Sequence, residues 1–190
     1  MDKQKLFTNA WYEYMNELKD LEEMAGKDKE KKKMLYYGYD ITLQLALIQM
    51  ITLDNNISSV EIEFVEHIID DNDLFKIYRK KTGKVLGWNN LVNVDDIKRI
   101  LHLVMATFTI DLVNFIKEFV SIDFNTREDY LNRLKGNIYY ISQAILEVDG
   151  FDPKEKKAYE VLDNTLFKKM DDLKNIALKS NKVVVGENIK

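Results

Sequence analysis

The chain has 190 residues, of which 46% are hydrophobic and 32% are charged, so it can bury one sizeable core and form one domain or at most two. Seven glycines and a single proline leave few residues for tight turns, which predicts a mostly helical protein. The absence of cysteine excludes disulfides, thiolate zinc sites and cysteine nucleophiles, and a formal net charge of −4 argues against a general nucleic-acid binder, which usually has a basic face.

The first half of the chain has apolar residues at steps of three and four, the pattern of an amphipathic helix. The first helix is predicted over 6–21, and Gly26 is placed like a helix terminator. The lysine-rich stretch 27–33 follows as a solvated connection or a first helical turn. The second helix, 33–53, is apolar on almost every side in its second half, so we expect it to be the central helix. A third helix is predicted over 58–70.

The segment 73–94 is rich in positive charge and is predicted to be a variable basic insertion. Its local fold stays open between a small hairpin around Thr82-Gly83 and a short helix that ends at Gly83. Its positive charges alternate with aromatic side chains, which favours contact with a phosphate, a nucleic acid or an acidic protein. A solvated basic connector is the plainer interpretation. The basic residues are Lys76, Arg79, Lys80, Lys81 and Lys84.

The second half of the chain continues the helical pattern. The clearest helix is predicted over 95–119, and further helices over 126–148 and 152–178. The last residues, 181–190, are expected to form a frayed, flexible tail. Long helices joined by short links pack as antiparallel neighbours, so residues 1–180 are predicted to form a single all-α domain, a bundle of about six or seven helices.

One helix–loop–helix junction occurs twice, and its first copy lies between the second and third predicted helices. There the apolar helix ends at Asp54, and Asn55 tolerates the left-handed conformation in which many helices terminate. Ser58 and Glu61 then have the spacing of a capping box. In such a box the serine accepts a hydrogen bond from a backbone N–H of the new helix, and the glutamate accepts one from the serine's own N–H.

In the second copy the helix ends at Asp149-Gly150, and glycine again suits a left-handed helix end. Asp152 and Glu155 have capping-box spacing, and Pro153 stands at the first helical position, where its missing N–H costs nothing. Two such copies predict pseudo-repeated helix–loop–helix halves packed on one another. The repeat units are 41–70 and 138–166.

The two junctions resemble a known family. An apolar helix, then Asp-Gly-x-apolar, a capped helix start and a glutamate about two helical turns after the aspartate is similar to the TerB-like tellurite-resistance domain, an all-helical fold of two such units. The first unit carries the resemblance through four residues at the family's spacing: Asp54, Ile57, Ser58 and Glu61. Asn55 replaces the usual glycine. The second unit matches at Asp149-Gly150, while Glu155 stands one residue closer than in the family.

The TerB-like family is associated with tellurite and general stress resistance and is regarded as non-enzymatic, and its acidic residues are proposed to bind a divalent metal or a partner. The resemblance therefore implies a binding or adaptor module of a bacterial stress response, whose partner is another protein. If the two junctions lie side by side, four carboxylates converge, and such oxygen ligands suit calcium or magnesium. The implied metal ligands are Asp54, Glu61, Asp149 and Glu155. In the plainer interpretation the glutamates only close capping boxes and the aspartates only end helices.

Other chemistry has little support in the sequence. There is no P-loop, dinucleotide-binding or nucleophile-elbow motif, so no catalytic residue is predicted and the protein is not expected to be an enzyme. His67 and His102 lie on different predicted helices and belong to no zinc or di-iron motif. The alternative function is a helical regulator or immunity-type protein that binds a protein or a nucleic acid through the basic 76–84 segment.

The sequence has no signal for export or membrane insertion. Its longest uncharged apolar run covers 41–53, whereas a membrane-spanning helix needs about 20 apolar residues. The first predicted helix has no signal-peptide core. We therefore expect a cytoplasmic protein without a membrane span, and its oligomeric state stays open.

Overall fold

The computed structural model of the chain describes residues 2–51, 58–68, 95, 112–126, 128–148, 150 and 156–187. Within these residues every element is helical, which confirms the predicted all-α class and helical bundle. The helices are α1 (Lys3–Ala25), α2 (Lys29–Ile51), α3 (Ser59–Ile68), α4 (112–126), α5 (Tyr130–Glu147), α6 (Lys156–Leu162) and α7 (Lys168–Glu187). None of the helices in these ranges combines the length and the apolar character needed to span a membrane.

The first helix is bounded by a cap at each end. The side chain of Asp2 accepts a hydrogen bond from the backbone N–H of Gln4 at 3.1 Å, which satisfies one of the free donors at the start of α1. At the other end Gly26 has φ +59°, a conformation that favours glycine, and its N–H donates to the carbonyls of Glu22 and Glu23. The prediction that Gly26 terminates this helix is confirmed.

The lysine-rich stretch forms mainly the first turn of α2. The side chain of Asp28 accepts a hydrogen bond from the backbone N–H of Lys31 at 3.0 Å, so the helix begins at Lys29, a few residues before its predicted start. The ammonium group of Lys31 forms an ion pair with Glu118 of α4 at 2.6 Å. This pair joins the start of α2 to its neighbour.

The second helix lies at the centre of the bundle, as the sequence predicts. It packs against α1, α5 and α6, and these neighbours bury nearly every side chain of its second half. Its fully buried apolar residues are Leu35, Tyr39, Ile41, Leu43, Leu45, Ala46, Leu47, Ile48 and Ile51. Two polar side chains, Thr42 and Gln44, are buried with them, and the Thr42 hydroxyl donates to the carbonyl of Gly38 at 2.6 Å.

Gly38 allows α2 and α4 to approach each other closely. A Cβ atom at this position would lie 2.3 Å from a ring carbon of Phe115, far inside van der Waals contact. Phe115 is itself buried and meets Phe119 edge-on, with ring centroids 4.8 Å apart. Packing of the helices, and not backbone conformation, therefore requires glycine here.

The boundary between α4 and α5 differs from the sequence prediction. α4 continues to Thr126 and α5 begins at Tyr130, whereas the sequence predicts that a helix starts at Thr126. The physical reason is Asp123, whose carboxylate accepts the backbone N–H of Tyr130 at 2.7 Å and that of Leu131 at 3.3 Å. Asp123 therefore caps α5 from the preceding helix, while Asp129, at the N-cap position, makes no capping hydrogen bond.

The C-terminal helical region contains a π-helical turn. Residues Asp163–Phe167 form this turn between α6 and α7, where the sequence predicts one regular helix over 152–178. Inside it, the Thr165 hydroxyl donates to the carbonyl of Val161 at 2.7 Å, a type of bond that often accompanies helix bending. α7 then continues to Glu187, into the stretch that the sequence predicts as a tail.

The described residues cover the predicted repeat only in part. α2 and α3 correspond to the first unit, and α5 and α6 correspond to the second. Residues 52–57, 149 and 151–155, which form the two junctions, lie outside the described residues apart from Gly150. The basic insertion 73–94 also lies outside them. The pseudo-repeated relation of the two halves therefore stays a prediction.

Candidate functional site

The capping box of the first junction is confirmed. Glu61 Oε2 accepts the backbone N–H of Ser58 at 2.7 Å, and Ser58 Oγ accepts the backbone N–H of Glu61 at 3.1 Å. Glu61 is 6% exposed, so its carboxylate is buried at the start of α3. One of the four implied metal ligands is thus engaged by its own helix.

The other three implied metal ligands, Asp54, Asp149 and Glu155, lie outside the described residues. Gly150 has φ +115°, a positive value that favours glycine, as the sequence predicts for this helix end. In the part of the chain that the structure describes, no three carboxylate or imidazole groups come together to hold a metal ion. Binding of calcium or magnesium at the two junctions stays a prediction.

The residues of the predicted basic contact lie outside the described residues as well: Lys76, Arg79, Lys80, Lys81 and Lys84. His102 also lies outside the described residues, whereas His67 is described. The imidazole of His67 stacks on the ring of Phe7, with centroids 5.2 Å apart, and lies 6.1 Å from the ring of Trp11. His67 therefore joins α3 to α1 through aromatic packing.

A cleft opens where four helices meet, and we call it the end cleft. It is enclosed by the last turns of α1, the start of α2, the last turns of α4 and the start of α5, and its volume is about 500 Å³. Ligand sites in proteins commonly range from about 300 to 1,000 Å³. The residues that line the end cleft are Asp20, Glu23, Met24, Lys31, Ile122, Asn125, Thr126, Tyr130 and Arg133.

Charges of both signs line the end cleft. Asp20 of α1 and Arg133 of α5 form an ion pair with a distance of 2.7 Å between nitrogen and oxygen. The guanidinium of Arg133 also lies over the ring of Tyr130, 5.1 Å from its centroid. Lys31, already paired with Glu118, adds a second cation to the lining. The cleft therefore combines paired charges with an aromatic ring on helical walls.

A buried carboxyl group lies one turn along α1 from the Asp20–Arg133 pair. Glu17 is 6% exposed, and the side-chain amide of Asn137 on α5 donates a hydrogen bond to its Oε1. Burial, followed by the negative charge of Asp20, raises the pKa of Glu17 to about 7, against the opposing effects of Arg133 and the hydrogen bond from Asn137. Glu17 is therefore partly protonated near neutral pH.

The hydroxyl group of Tyr39 on α2 is fully buried and has no hydrogen-bond partner among the described residues. Its ring stacks on that of Tyr14 with centroids 5.8 Å apart, and the Tyr14 hydroxyl donates to Asp40 at 2.8 Å. Burial, followed by the charge of Glu17, raises the pKa of Tyr39 well above its usual value. Tyr39 is therefore neutral and offers no compensating charge to Glu17.

A smaller groove of about 310 Å³ lies between α4 and α7. The ring of Phe124, which is 58% exposed, forms part of it, and Lys174 pairs with Asp129 at its edge with a distance of 3.2 Å. The end cleft has the larger volume, and its charged residues are two acidic and two basic, whereas those of the groove are three acidic and one basic.

The residues of the end cleft differ in how well the sequence marks them. Asp20 and Arg133 stand far apart in the chain, and no spacing rule connects them. Glu17 does carry a signal, because it occupies the apolar stripe of α1 between Tyr14 and Leu21 at steps of three and four residues. A charged residue in such a stripe indicates a buried carboxyl group.

Together the fold and the cleft define an all-helical bundle with a charged concavity between helix ends. Comparison of the chain with protein-family models, with curated proteins and with solved structures gave no match. The resemblance to the TerB-like domain therefore rests on the two junctions of the sequence and stays a prediction.

Proposed function

We propose that the protein is a non-enzymatic, TerB-like binding module that acts as an adaptor in a bacterial stress response and binds another protein in the end cleft. The family and the biological setting come from the sequence resemblance at the two junctions. The observation that supports the binding role is the end cleft, a charged concavity of about 500 Å³ that is lined by four helices and open to solvent on one side.

The chemistry of the end cleft suits a polypeptide segment. Asp20 and Arg133 present a carboxylate and a guanidinium in one ion pair, so charged side chains of a peptide can pair with either group. Tyr130 and Met24 supply apolar contact area beside this pair. Tyrosine, methionine and arginine are also the residue types in which protein interfaces are enriched.

The walls of the end cleft are held in place before any partner binds. Asp123 caps α5 from α4 with two hydrogen bonds, and the Lys31–Glu118 pair joins α2 to α4. A surface that is already ordered loses little conformational entropy on binding, which favours affinity. The contacts that fix these helices therefore support a role for the end cleft as a recognition surface.

A site-specific photo-crosslinker tests this function in cells that express the protein. At Asn125, in the end cleft, it should give one discrete adduct with a partner protein, and Arg133→Glu should abolish that adduct. The matched control places the same crosslinker at Ile176, an exposed residue of α7 outside the cleft lining. Equal adducts from both positions, or no adduct from Asn125, would contradict a partner site in the end cleft.

Binding of a divalent cation is a separable part of the proposal. Asp54, Glu61, Asp149 and Glu155 would supply carboxylate oxygens, which calcium and magnesium prefer. Calorimetric titration with each ion should give heat with the wild type and none with Asp54→Ala/Asp149→Ala. Equal heat from the two proteins, or no heat from the wild type, removes the cation from the proposal and leaves the end cleft unaffected.

A further inference from the structure

The surroundings of Glu17 provide little to balance a negative charge. Its hydrogen bond comes from the neutral amide of Asn137, and within the described ranges no cation forms an ion pair with it. The guanidinium of Arg133 lies near enough to affect Glu17 but is already paired with Asp20 at 2.7 Å. A buried carboxyl group in this position is stable when protonated and unfavourable when ionised.

Among the described residues, the groups that face Glu17 from the helices around it include one positive charge. On α1, Glu13 stands one turn before Glu17 and Asp20 one turn after it, and both carboxylates oppose its ionisation. α2 contributes the buried, neutral hydroxyl of Tyr39. α5 contributes the guanidinium of Arg133 together with the amide hydrogen bond. α3 packs near the opposite end of α1.

We propose that Glu17 is a proton-operated latch between α1 and α5 that controls the end cleft. When it is protonated, it keeps its hydrogen bond with Asn137 and leaves Arg133 paired with Asp20. When it is ionised, its charge is unfavourable in the buried position between α1 and α5 and draws Arg133 away from Asp20, which weakens the contact between the two helices at the cleft. The latch extends the proposed function to its regulation, and in that respect rests on it, but its test uses the protein alone.

The latch operates near neutral pH. The pKa of Glu17 is about 7 in the folded protein against an ordinary value of 4.5, so the folded state binds more protons than the unfolded state between these values. The stability associated with protonated Glu17 is fully present below pH 4.5 and is lost as the pH rises through about 7. The contact between α1 and α5 is therefore weakest above pH 7.

Urea unfolding of the wild type and of Glu17→Gln between about pH 5 and 8 tests the latch, because glutamine still accepts the Asn137 hydrogen bond and cannot ionise. Across this range the unfolding constant of the wild type should rise on the order of 50-fold more than that of the variant. Glu66→Gln, the same change at an exposed position of α3, is the matched control and should keep the wild-type slope. Parallel profiles of wild type and Glu17→Gln would overturn the proposal.

Two measurements on the wild type keep the test independent of whether Glu17→Gln folds. In carbon-13 NMR, one glutamate carboxyl group should titrate with a midpoint near 7, and midpoints that all lie near 4.5 would overturn the latch. In hydrogen exchange, corrected for the intrinsic effect of pH, amides of residues 13–24 should lose protection between about pH 5.5 and 8. Unchanged protection there would overturn the link between Glu17 and the end cleft. Neither result depends on the crosslinking outcome.

Discussion

At the scale of single residues, two neighbours on α2 show how tightly the centre of the bundle is packed. Gly38 accommodates the ring of Phe115 where any side chain would collide with it. Tyr39 places a hydroxyl group in the core without a hydrogen-bond partner among the described residues. One position is filled to its limit and the other carries an unsatisfied polar atom, so substitutions at the two should have opposite signs.

Replacing Gly38 by alanine should destabilise the protein. The new Cβ would meet the Phe115 ring at 2.3 Å, and overpacking of this kind costs about 1–3 kcal/mol. Gly136 on α5 is the matched control, because a Cβ there meets nothing within 4 Å and Gly136→Ala should stabilise the helix by about 0.5–1 kcal/mol. Urea unfolding measures both changes, and equal effects of the two alanines would contradict the packing argument.

Replacing Tyr39 by phenylalanine should stabilise the protein by about 1 kcal/mol, because it removes a buried hydroxyl group that has no partner in the described part of the chain. Tyr14→Phe deletes the same group from a ring that stacks on Tyr39, but it also removes the hydrogen bond to Asp40. It should therefore destabilise by about 1 kcal/mol. Thermal unfolding distinguishes the two variants, and a loss of stability in Tyr39→Phe would show that its hydroxyl is satisfied in solution.

At the scale of elements, the start of α5 depends on a residue of α4. Asp123→Ala should destabilise by about 1–2 kcal/mol, since it removes a carboxylate that accepts two backbone N–H groups. Asp129→Ala, at the N-cap position itself, should change stability by less than about 0.5 kcal/mol, because its side chain makes no capping bond and its ion pair with Lys174 is exposed on the Asp129 side. Urea unfolding compares the pair, and a larger loss from Asp129→Ala would contradict this assignment of the cap.

The same junction explains which helix ends can be predicted from sequence. Gly26 and the Ser58–Glu61 box are recognised correctly because each signal lies within four residues of the groups it caps. The sequence predicts that this helix starts at Thr126, yet it starts at Tyr130, and the capping carboxylate comes from Asp123, several residues upstream. A cap supplied from a neighbouring helix is a tertiary interaction, and local pattern alone does not contain it.

At the scale of the whole molecule, the scarcity of glycine and proline correctly predicts a helical protein, and the apolar second half of α2 correctly predicts its central place in the bundle. The end cleft is different, because the Asp20–Arg133 pair depends on how α1 and α5 pack. Each residue alone resembles an ordinary surface charge. Glu17 lies between these cases, because its place in an apolar stripe and its neighbours Glu13 and Asp20 are visible in the sequence, whereas the approach of Arg133 from α5 is not.

The alternative function is a helical regulator or immunity-type protein that binds a protein or a nucleic acid through the basic 76–84 segment, and its nucleic-acid form makes a separate prediction for the whole chain. With a net charge of −4, we expect no retention of the protein on a DNA column at low salt. If the wild type is retained and Lys80→Ala/Lys81→Ala elutes at lower salt, the basic segment binds phosphates and the alternative gains direct support.

The proposed function requires that a partner protein binds in the end cleft. Hydrogen exchange of the protein alone and of its complex with the partner identified by crosslinking tests this most directly. We expect new protection in residues 20–31 and 122–133, which supply the cleft walls from α1, α2, α4 and α5. Protection confined to 73–94, with none in those two stretches, would contradict it.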